Sequence, residues 1–428
     1  MNPGIKNWHL VIAICLLVFI IKINLILNTY TLIITIFELF IKNYNLAILH
    51  FDLSLIDIIT SSVLIVIFPI VSFYLRHKLK VLDTKINTTF LFLVILLMFF
   101  IFAPLISSVN PDFQKNLNET YLLPPFSSLI VVHLKTNNNE SGNIQSKFFT
   151  ERAAVIKNSF DENIILADSI HIGKEVNIFE KDEKITLPKD TISISSGKPV
   201  ISRMFYLLGT DEFGRDIFSR LVYGARVSLF IGFGSVLVSL FLGLFLGFLA
   251  GYSGGFLDLI ISRIVDMFLS FPAIFFVILI LALFGNSLLS VIVVLGFSGW
   301  MSLFKIVRSE VISIKSKDFF ITAKMIGLKS SNLLVKEILP NILSPVIVNL
   351  VFQFAAVILA EAALSYLGLG IGSSYPSWGA MIQSGQNYLI QAWWMILSPG
   401  LFLILTIYSA NDLGRRLNKY FNPRLNND

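Results

Sequence analysis

The chain has 428 residues, of which 55% are hydrophobic and 14% are charged, and its mean hydropathy is +0.78. No soluble globular domain has this balance, so the composition excludes an ordinary soluble enzyme and indicates an all-α polytopic membrane protein. The net charge of +6 raises the alternative of nucleic-acid binding. In membrane proteins, however, excess Lys and Arg more often marks cytoplasmic loops, and we expect no nucleic acid among the partners.

Eight apolar runs are long enough to cross a bilayer as a helix, which takes about 20 residues. They are residues 9–27, 56–75, 88–108, 228–250, 258–284, 288–308, 342–367 and 393–412. The first run contains Lys22, and we interpret it as a retained span rather than a signal peptide because no small-residue cleavage site follows it. The run 30–41 is short and contains Glu38, so we expect it to lie along the membrane interface.

Positive charge is concentrated in three short loops, at residues 76–85, 305–336 and 415–424. The positive-inside rule places all three in the cytoplasm. Eight spans are consistent with this placement, and they also put the N- and C-termini in the cytoplasm. The chain is therefore expected to be a multi-pass protein of the bacterial inner membrane.

The long polar segment 109–205 then lies outside the membrane. Its apolar runs are short and partly alternating, and they are bounded by Asn, Gly and Asp, a pattern that predicts strands. The runs are residues 127–136, 147–157, 163–172 and 174–181. We therefore predict a small β-rich extracytoplasmic insert.

Several motifs of enzymes and ATPases do not occur in the sequence. There is no G-x-x-x-x-G-K-[ST], no H-E-x-x-H and no G-x-S-x-G, and the five histidines are scattered. We therefore expect no bound nucleotide, no metal and no catalytic residue in this chain. A secondary transporter would need coupling-ion residues at the membrane midplane, and a membrane hydrolase would need a Ser–His or metal pair at depth. The sequence shows neither pattern, so it favours neither of these two classes.

One polar segment between two spans, KDFFITAKMIGLKSSNLLVKEILPNI at 317–342, is unusual. Residues 317–326 can form a short helix, Gly327 permits a sharp turn, a second helical piece fits 332–338, and Pro340 begins the next span. On the first helix, Lys324 faces water, and four apolar side chains are available to a partner: Phe319, Phe320, Ala323 and Met325. Docking on another protein and an amphipathic loop on the membrane surface are both open interpretations.

The same segment resembles the EAA-type loop of ABC importer permeases, with the pattern E-A-A-x₃-G-x₉-I-x-L-P. The matching positions are Ala323, Gly327, Leu339 and Pro340, whereas Ile321, Thr322 and Glu337 depart from it. The stretches GTDEFGRDIFSRLVYGARVSL, GYSGGFLDLIISRIVDMFLSFP, EAALSYLGLGIGSSYPSWGAMI and FNPRL resemble the oligopeptide, dipeptide and nickel permease group. Within it, the GTDEFGRD version is similar to the C-type subunit of a heterodimeric pair.

The resemblance implies a type I permease core of about six transmembrane helices, here with two extra N-terminal spans. It also implies that 317–340 is a coupling helix docked on an ATPase, with Phe319, Phe320, Ala323, Lys324, Gly327, Leu339 and Pro340 in the docking block. A helix C-cap remains the alternative role of Gly327. The implied partners are a homologous permease subunit, two ABC ATPase subunits, an extracytoplasmic solute-binding protein, a peptide substrate and the lipid bilayer. ATP and Mg²⁺ would bind to the ATPase partners.

Three other groups of residues are candidates for structure or function. Gly243, Gly247 and Gly251 recur every four residues, which predicts close helix packing. Gly209, Asp211, Gly214, Arg215, Asp216 and Trp378 form either an external turn or a periplasmic gate. Glu361 could meet the ammonium group of a peptide or serve a structural pairing; Arg263 and Asp266 can pair one turn apart, and Pro272 predicts a kink.

The sequence thus predicts four parts: an N-terminal extension (1–87) with two spans, a first core span (88–108), an extracytoplasmic insert (109–205) and a permease core (206–428). The core would hold five spans and a cytoplasmic coupling loop at 309–340. The expected function is that of the permease subunit of an ATP-driven importer of oligopeptides or dipeptides. A nickel or other small-solute importer is the alternative within the family.

Overall fold

The computed structural model describes residues 7–42, 53–75, 88–135, 144–156, 163–172, 175–180, 183–188, 191–195, 198–326, 333–372 and 375–421. The chain divides into two compact units. The first contains Met1–Arg226 and Ser384–Ser398, and the second contains Val227–Gln383 and Pro399–Asp428. Two long helices have their first residues in the first unit and the remainder in the second.

Four apolar helices begin the first unit: α1 (Asn7–Ile21), α2 (Ile23–Lys42), α3 (Leu53–Leu75) and α4 (Thr88–Ile106). A helix boundary falls at Lys22, whose Nζ donates to the carbonyl of Ser107 at 3.0 Å. The predicted span 9–27 and the predicted interfacial run 30–41 are therefore wrong, because one helix ends before Lys22 and the next begins after it. The segment 30–41 belongs to α2, which is itself long and apolar enough to cross a membrane, whereas α1 is shorter.

The insert contains a short helix, α5 (Leu117–Thr120), a longer helix, α6 (Ile144–Ile156), and eight strands within the described ranges. The strands are β1 (Ser127–His133), β2 (Ile164–Ala167), β3 (Ser169–Ile172), β4 (Val176–Glu180), β5 (Glu183–Leu187), β6 (Ile194–Ser195), β7 (Lys198–Pro199) and β8 (Ile201–Tyr206). All pairings are antiparallel, in the orders β2-β1-β8, β3-β4-β5 and β6-β7. The prediction of a small β-rich insert is confirmed.

The run 147–157 was wrongly predicted to be a strand, because the structure shows α6 there. Phe148 and Val155 are both buried, and their spacing of seven residues places them on one face of a helix. They join the apolar core of α1–α4, and Glu151 accepts a hydrogen bond from Thr35 of α2. Packing on α2 therefore selects helix where the alternation alone favoured a strand.

The second unit contains most of the remaining helices. They are α7 (Ile217–Ser253), α8 (Gly255–Leu269), α9 (Ala273–Phe284), α10 (Leu288–Lys315), α11 (Asp318–Met325), a π-helical turn (Leu333–Ile338), α12 (Leu339–Tyr366), α13 (Trp378–Gly385), a 3-10 turn (Gln386–Tyr388) and α14 (Trp394–Phe421). Of these, α7 and α14 begin in the first unit, α13 ends in it, and the 3-10 turn lies within it.

The predicted span 258–284 is broken rather than merely kinked. Helices α8 and α9 meet at an angle of 87° across Ser270–Pro272. Pro272 has no N–H to continue the hydrogen-bond ladder, and it precedes the first residue of α9. Among the described residues, seven helices are long and apolar enough to cross a membrane, or eight if this bent pair is one span.

Candidate coupling site and membrane helices

Close packing of α7 on α10 organises the helices of the second unit. A Cβ placed on Gly243, Gly247 or Gly251 would lie 2.8–2.9 Å from the Cβ of Leu303, Val307 or Val311, respectively. Such a distance is far below van der Waals contact, so only glycine permits this approach. The three glycines therefore lie against one apolar ridge of α10, in the role that their spacing predicts.

Charged side chains join the ends of the same helices. Lys315, in the last turn of α10, donates to the carbonyls of Gly251 and Tyr252 at 3.2 and 2.6 Å, where α7 ends. These carbonyls have no intrahelical partner, and a lysine there also favours the negative end of the helix dipole. Lys315 is not among the residues predicted from the sequence, although basic residues near helix ends are a known capping signal.

A second connection joins α8 to α10 through Arg308. Its guanidinium donates to both carboxylate oxygens of Asp258, at 2.5 and 2.6 Å. Asp266 pairs with Lys305 at 3.0 Å rather than with Arg263, so the expected pairing within α8 is wrong. Two residues three apart on one helix are neighbours, but here the acidic side chain points to the adjacent helix.

The segment 317–340 combines a buried anchor with an exposed apolar surface. Phe320 of α11 is only 3% exposed and belongs to a cluster with Val307, Leu333 and Ile342. Its expected availability to a partner is therefore wrong, because the ring faces the core formed by α10 and α12. Ala323 is half-buried beside the same cluster. This contact fixes α11 to the ends of both long helices.

The other side of α11 exposes large apolar side chains. Met325 and Ile326 are 83% and 75% exposed, and Phe319 and Ile321 are also exposed. Lys324 is exposed, as expected. Several exposed large apolar side chains on one polar loop are typical of an interaction site. Ile326 was not among the predicted docking residues, although it directly precedes the glycine of the motif.

Gly327 lies outside the described residues, so its predicted turn has no structural description. After it, the chain forms the π-helical turn and continues directly into α12. Leu339 is half-buried and packs beside the cluster around Phe320, whereas Pro340 is exposed in the first turn of α12. Proline is well tolerated there because the first N–H groups of a helix have no intrahelical acceptor.

The segment GTDEFGRD in the first unit forms a buried turn. Asp211 accepts hydrogen bonds from the backbone N–H groups of Phe213 and Arg215 at 2.9 Å, and from Nε of Arg215 at 2.7 Å. Both glycines adopt positive φ, at 77° for Gly209 and 72° for Gly214. A Cβ on Gly214 would meet Oγ1 of Thr120 at 2.0 Å. These features describe a structural turn.

Asp216 then caps the N-terminus of α7. Its Oδ2 accepts from the N–H and hydroxyl of Ser219 at 3.0 and 2.6 Å. Burial raises the pKa of Asp216, and the hydrogen bonds from Ser219 partly oppose that shift. Arg220, also buried, reaches Asp112 at 3.2 Å and Asp211 at 3.6 Å. Asp211, Arg215, Asp216 and Arg220 are buried, which suits a structural turn better than a gate or a docking surface.

Glu361 and Trp378 occupy a buried position in the second unit. Glu361 accepts from the hydroxyl of Ser365 at 2.8 Å and lies 3.4 Å from the hydroxyl of Ser228. The backbone N–H of Trp378 donates to Ser228 as well, so these contacts connect α7, α12 and α13. Glu361 is 1% exposed and Trp378 is fully buried. Both positions therefore suit structural roles, and neither side chain lines an open pathway.

These features define the class of protein: a polytopic membrane protein whose helices pack through small residues and support an exposed loop suited to docking. Residues 243–427 match the family described as binding-protein-dependent transport system inner membrane component. The chain belongs to this family, and it is a multi-pass transport subunit of the inner membrane.

Individual relatives support that membership. The dipeptide transport system permease protein DppC of Alkalihalophilus pseudofirmus is 40% identical over 51% of this chain and 71% of its own length. The corresponding Bacillus subtilis protein is 39% identical over 51% of this chain and 68% of its own length. The oligopeptide transport system permease protein OppC of Escherichia coli K12 is 34% identical over 65% of this chain and 89% of its own length.

Among solved structures, an inward-facing MetNI methionine ABC transporter is 18% identical. The match covers 47% of this chain and 95% of that chain, with a TM-score of 0.40.

Proposed function

We propose that this chain is the permease subunit of an ATP-driven ABC importer that carries oligopeptides or dipeptides inward. The observation that carries the proposal is its similarity to peptide permeases: up to 89% of the length of an oligopeptide permease is covered at 34% identity. The chain contributes spans and a docking loop, and its ATPase partners supply the chemistry. Bound ATP and Mg²⁺ belong to those partners, and this chain has no cofactor.

The proposed assembly contains this chain, a homologous permease subunit as its heterodimer partner, two ATPase subunits and an extracytoplasmic solute-binding protein. The N- and C-termini lie in the cytoplasm, together with α11, and the insert lies outside. The basic residues at 305–336 and 415–424 support this orientation. The solute-binding protein delivers the peptide to the outer side of the spans.

Coupling occurs through α11. Its exposed side chains, Phe319, Met325 and Ile326, seat in a groove of an ATPase subunit, while Phe320 holds α11 to α10 and α12. When the ATPase subunits close, α11 moves as a rigid body and shifts both long helices. Densely packed helices transmit such displacements because they move between discrete packed arrangements instead of deforming continuously.

Reconstitution of the whole complex in vesicles tests the proposal. ATP inside and peptide with solute-binding protein outside should give uptake, and Ni²⁺ should neither be taken up nor compete. Uptake that follows an ion gradient without ATP would identify a secondary transporter instead. Preferential uptake of Ni²⁺ would replace the peptide assignment with the metal alternative.

A substitution at the docking surface tests the coupling role. Met325→Asp should greatly reduce co-purification of the ATPase subunits and ATP-driven uptake, because it places a charge in an apolar contact. Ile390→Asp, at an apolar side chain on another segment that is 97% exposed, is the matched control and should retain the ATPase subunits. Equal retention of ATPase subunits by both variants would contradict the coupling role of α11.

A further inference from the structure

Helix α10 exposes a polar stripe within a membrane-spanning segment. Ser298, Ser302, Lys305 and Ser309 recur at i, i+4, i+7 and i+11, which places them on one face. Ser298 is half-buried and the other three are exposed, whereas the apolar residues on the remaining faces of the helix are largely buried. Lipid contact would favour the reverse arrangement, with apolar side chains outside.

Helix α12 has four residues with the same spacing, on the side that faces the stripe of α10 across a cavity. Asn349, Gln353, Ala356 and Ala360 also recur at i, i+4, i+7 and i+11. Together with Ser298, Gly299 and Ser302 of α10, they line an open cavity of about 390 Å³. Cavities of this size hold small molecules.

Three amide atoms in this cavity lack hydrogen-bond partners within the described part of the chain. Gln353 is 8% exposed, and neither its Oε1 nor its Nε2 has a partner among the described residues. The same holds for Oδ1 of Asn349. By contrast, Ser298 and Ser302 donate to Leu295 and Gly299 of their own helix, at 2.7 and 3.1 Å. A buried amide without partners is unfavourable, and a ligand with donors and acceptors would supply the missing hydrogen bonds.

The cavity lies at the middle of the membrane helices. Ser302 and Gln353 each fall within one residue of the midpoint of a 28-residue helix. No charged side chain lines the cavity. Below it, the stripe on α10 continues through Lys305 and Ser309 toward the cytoplasmic end of the helix. Polar groups at bilayer depth usually face a water-filled path rather than lipid.

We propose that the paired stripes of α10 and α12 form a peptide track, in which Asn349 and Gln353 bind the backbone amides of the passing substrate. This assignment rests on the proposed function. An amide side chain carries both a donor and an acceptor and so complements a peptide group. Because every peptide has that group, a neutral amide site selects peptides without selecting their side chains. The substrate passes Ala356 and Ala360, then the amides, and leaves along Lys305 and Ser309.

Site-specific labelling tests where the peptide passes. Cys15 is the only cysteine, so Cys15→Ser gives a thiol-free background in which Ser302→Cys or Leu359→Cys is introduced. Leu359 lies on α12, is 53% exposed and does not line the cavity. A tripeptide carrying a bromoacetyl group on a lysine side chain should alkylate Ser302→Cys during ATP-driven uptake, and excess unmodified tripeptide should suppress this.

Leu359→Cys should remain unlabelled under the same conditions. Equal labelling of both cysteines, or no labelling at Ser302→Cys while the probe is taken up, would overturn the track. A failure of the unmodified complex to import any peptide would refute the proposed function first, so the two failures are distinguishable.

A paired substitution tests the amides themselves. Asn349→Leu with Gln353→Leu should reduce uptake about tenfold, because two hydrogen-bonding groups are lost. The control Asn349→Gln with Gln353→Asn exchanges the two amides and should retain more of the rate. The wild-type preference for a tripeptide over its N-methylated analogue should also fall in the leucine variant, with the same solute-binding protein. Unchanged uptake and unchanged preference in an assembled leucine variant would refute the role of the amides.

Discussion

Two short segments show that local composition does not determine exposure. GTDEFGRD is rich in charge, yet Asp211, Arg215 and Asp216 are buried and hydrogen-bonded. KDFFITAKMIG is rich in apolar residues, yet Met325 and Ile326 are largely exposed. In the first segment, Asp211, Arg215 and Asp216 form hydrogen bonds that stabilise a turn, although Oδ1 of Asp216 and Oε2 of Glu212 have no partner among the described residues. In the second, apolar side chains are left for a partner. Burial and hydrogen bonding, rather than composition, therefore distinguish the two segments.

Removing the buried carboxylate of Asp211 should have the largest effect on stability. Asp211→Ala leaves the guanidinium of Arg215 buried without its partner and also deprives two backbone N–H groups of their acceptor. Breaking a buried pair in this way costs about 3–5 kcal/mol. The expected result is loss of assembled protein in detergent, measured by size-exclusion chromatography and thermal unfolding.

Asp412→Ala is the matched control for this substitution. Asp412 is 16% exposed and pairs with Arg416 at 2.7 Å and with Arg415 at 3.6 Å, but both arginines are mostly exposed. Surface pairs contribute only about 0–1 kcal/mol, so assembly should be nearly unchanged. If both variants assembled equally well, the buried turn would not be the stabilising element that its hydrogen bonds indicate.

Adjacent phenylalanines sharpen the comparison within the coupling segment. Phe320→Ala removes a buried ring from the cluster with Leu333 and Ile342 and should lower the free energy of unfolding by about 3–5 kcal/mol. Phe319→Ala, at an exposed neighbour, should change stability little but reduce ATPase co-purification. Phe320→Ala should therefore mainly lower the thermal stability, whereas Phe319→Ala should mainly lower co-purification of the ATPase subunits. A common response of both variants would mean that α11 has no distinct anchor and docking sides.

The glycine spacing provides a third test, which concerns helix packing. Gly247→Leu places side-chain atoms where the Cβ of Val307 already lies, 2.8 Å from the new Cβ. Overpacking of this kind costs about 1–3 kcal/mol, and the melting temperature of the purified chain should fall. Gly400→Leu, also within a helix, has no atom within 4 Å of a new Cβ and serves as the control. Equal melting temperatures would argue against close packing of α7 on α10.

Much of the fold could be predicted from the sequence because membrane spans and helix-packing glycines carry strong local signals. Apolar length defined most spans, and the four-residue glycine spacing indicated a packing face. The boundary at Lys22 and the helix at Ile144–Ile156 were missed because tertiary contacts determine them. Lys22 bonds to the carbonyl of Ser107, and Phe148 packs in the core of α1–α4.

The candidate site was less predictable from the sequence. The direction of Phe320 depends on where the ends of α10 and α12 meet, which no local pattern specifies. For Glu361, near the outer end of its predicted span, the sequence left open both contact with a peptide ammonium group and a structural pairing. In the structure, three helices enclose it. Asn349 and Gln353 did carry a signal, since two amides four residues apart in an apolar run define a polar face. This polar face of α12 indicates a binding site only in the structure, where the polar stripe of α10 lies across the cavity from it.

The smallest effect is expected at Lys324, the exposed lysine of α11. Its side chain is solvated in the chain alone, so Lys324→Ala should leave the melting temperature unchanged. At the docking surface, a single exposed ion pair with an ATPase subunit would contribute about 0–1 kcal/mol, so uptake should fall by less than about fivefold. Uptake measured at low and high salt checks this, because screening should remove the difference between variant and wild type. A loss as large as that of Met325→Asp would mean that charge, rather than the exposed apolar side chains, carries the docking contact.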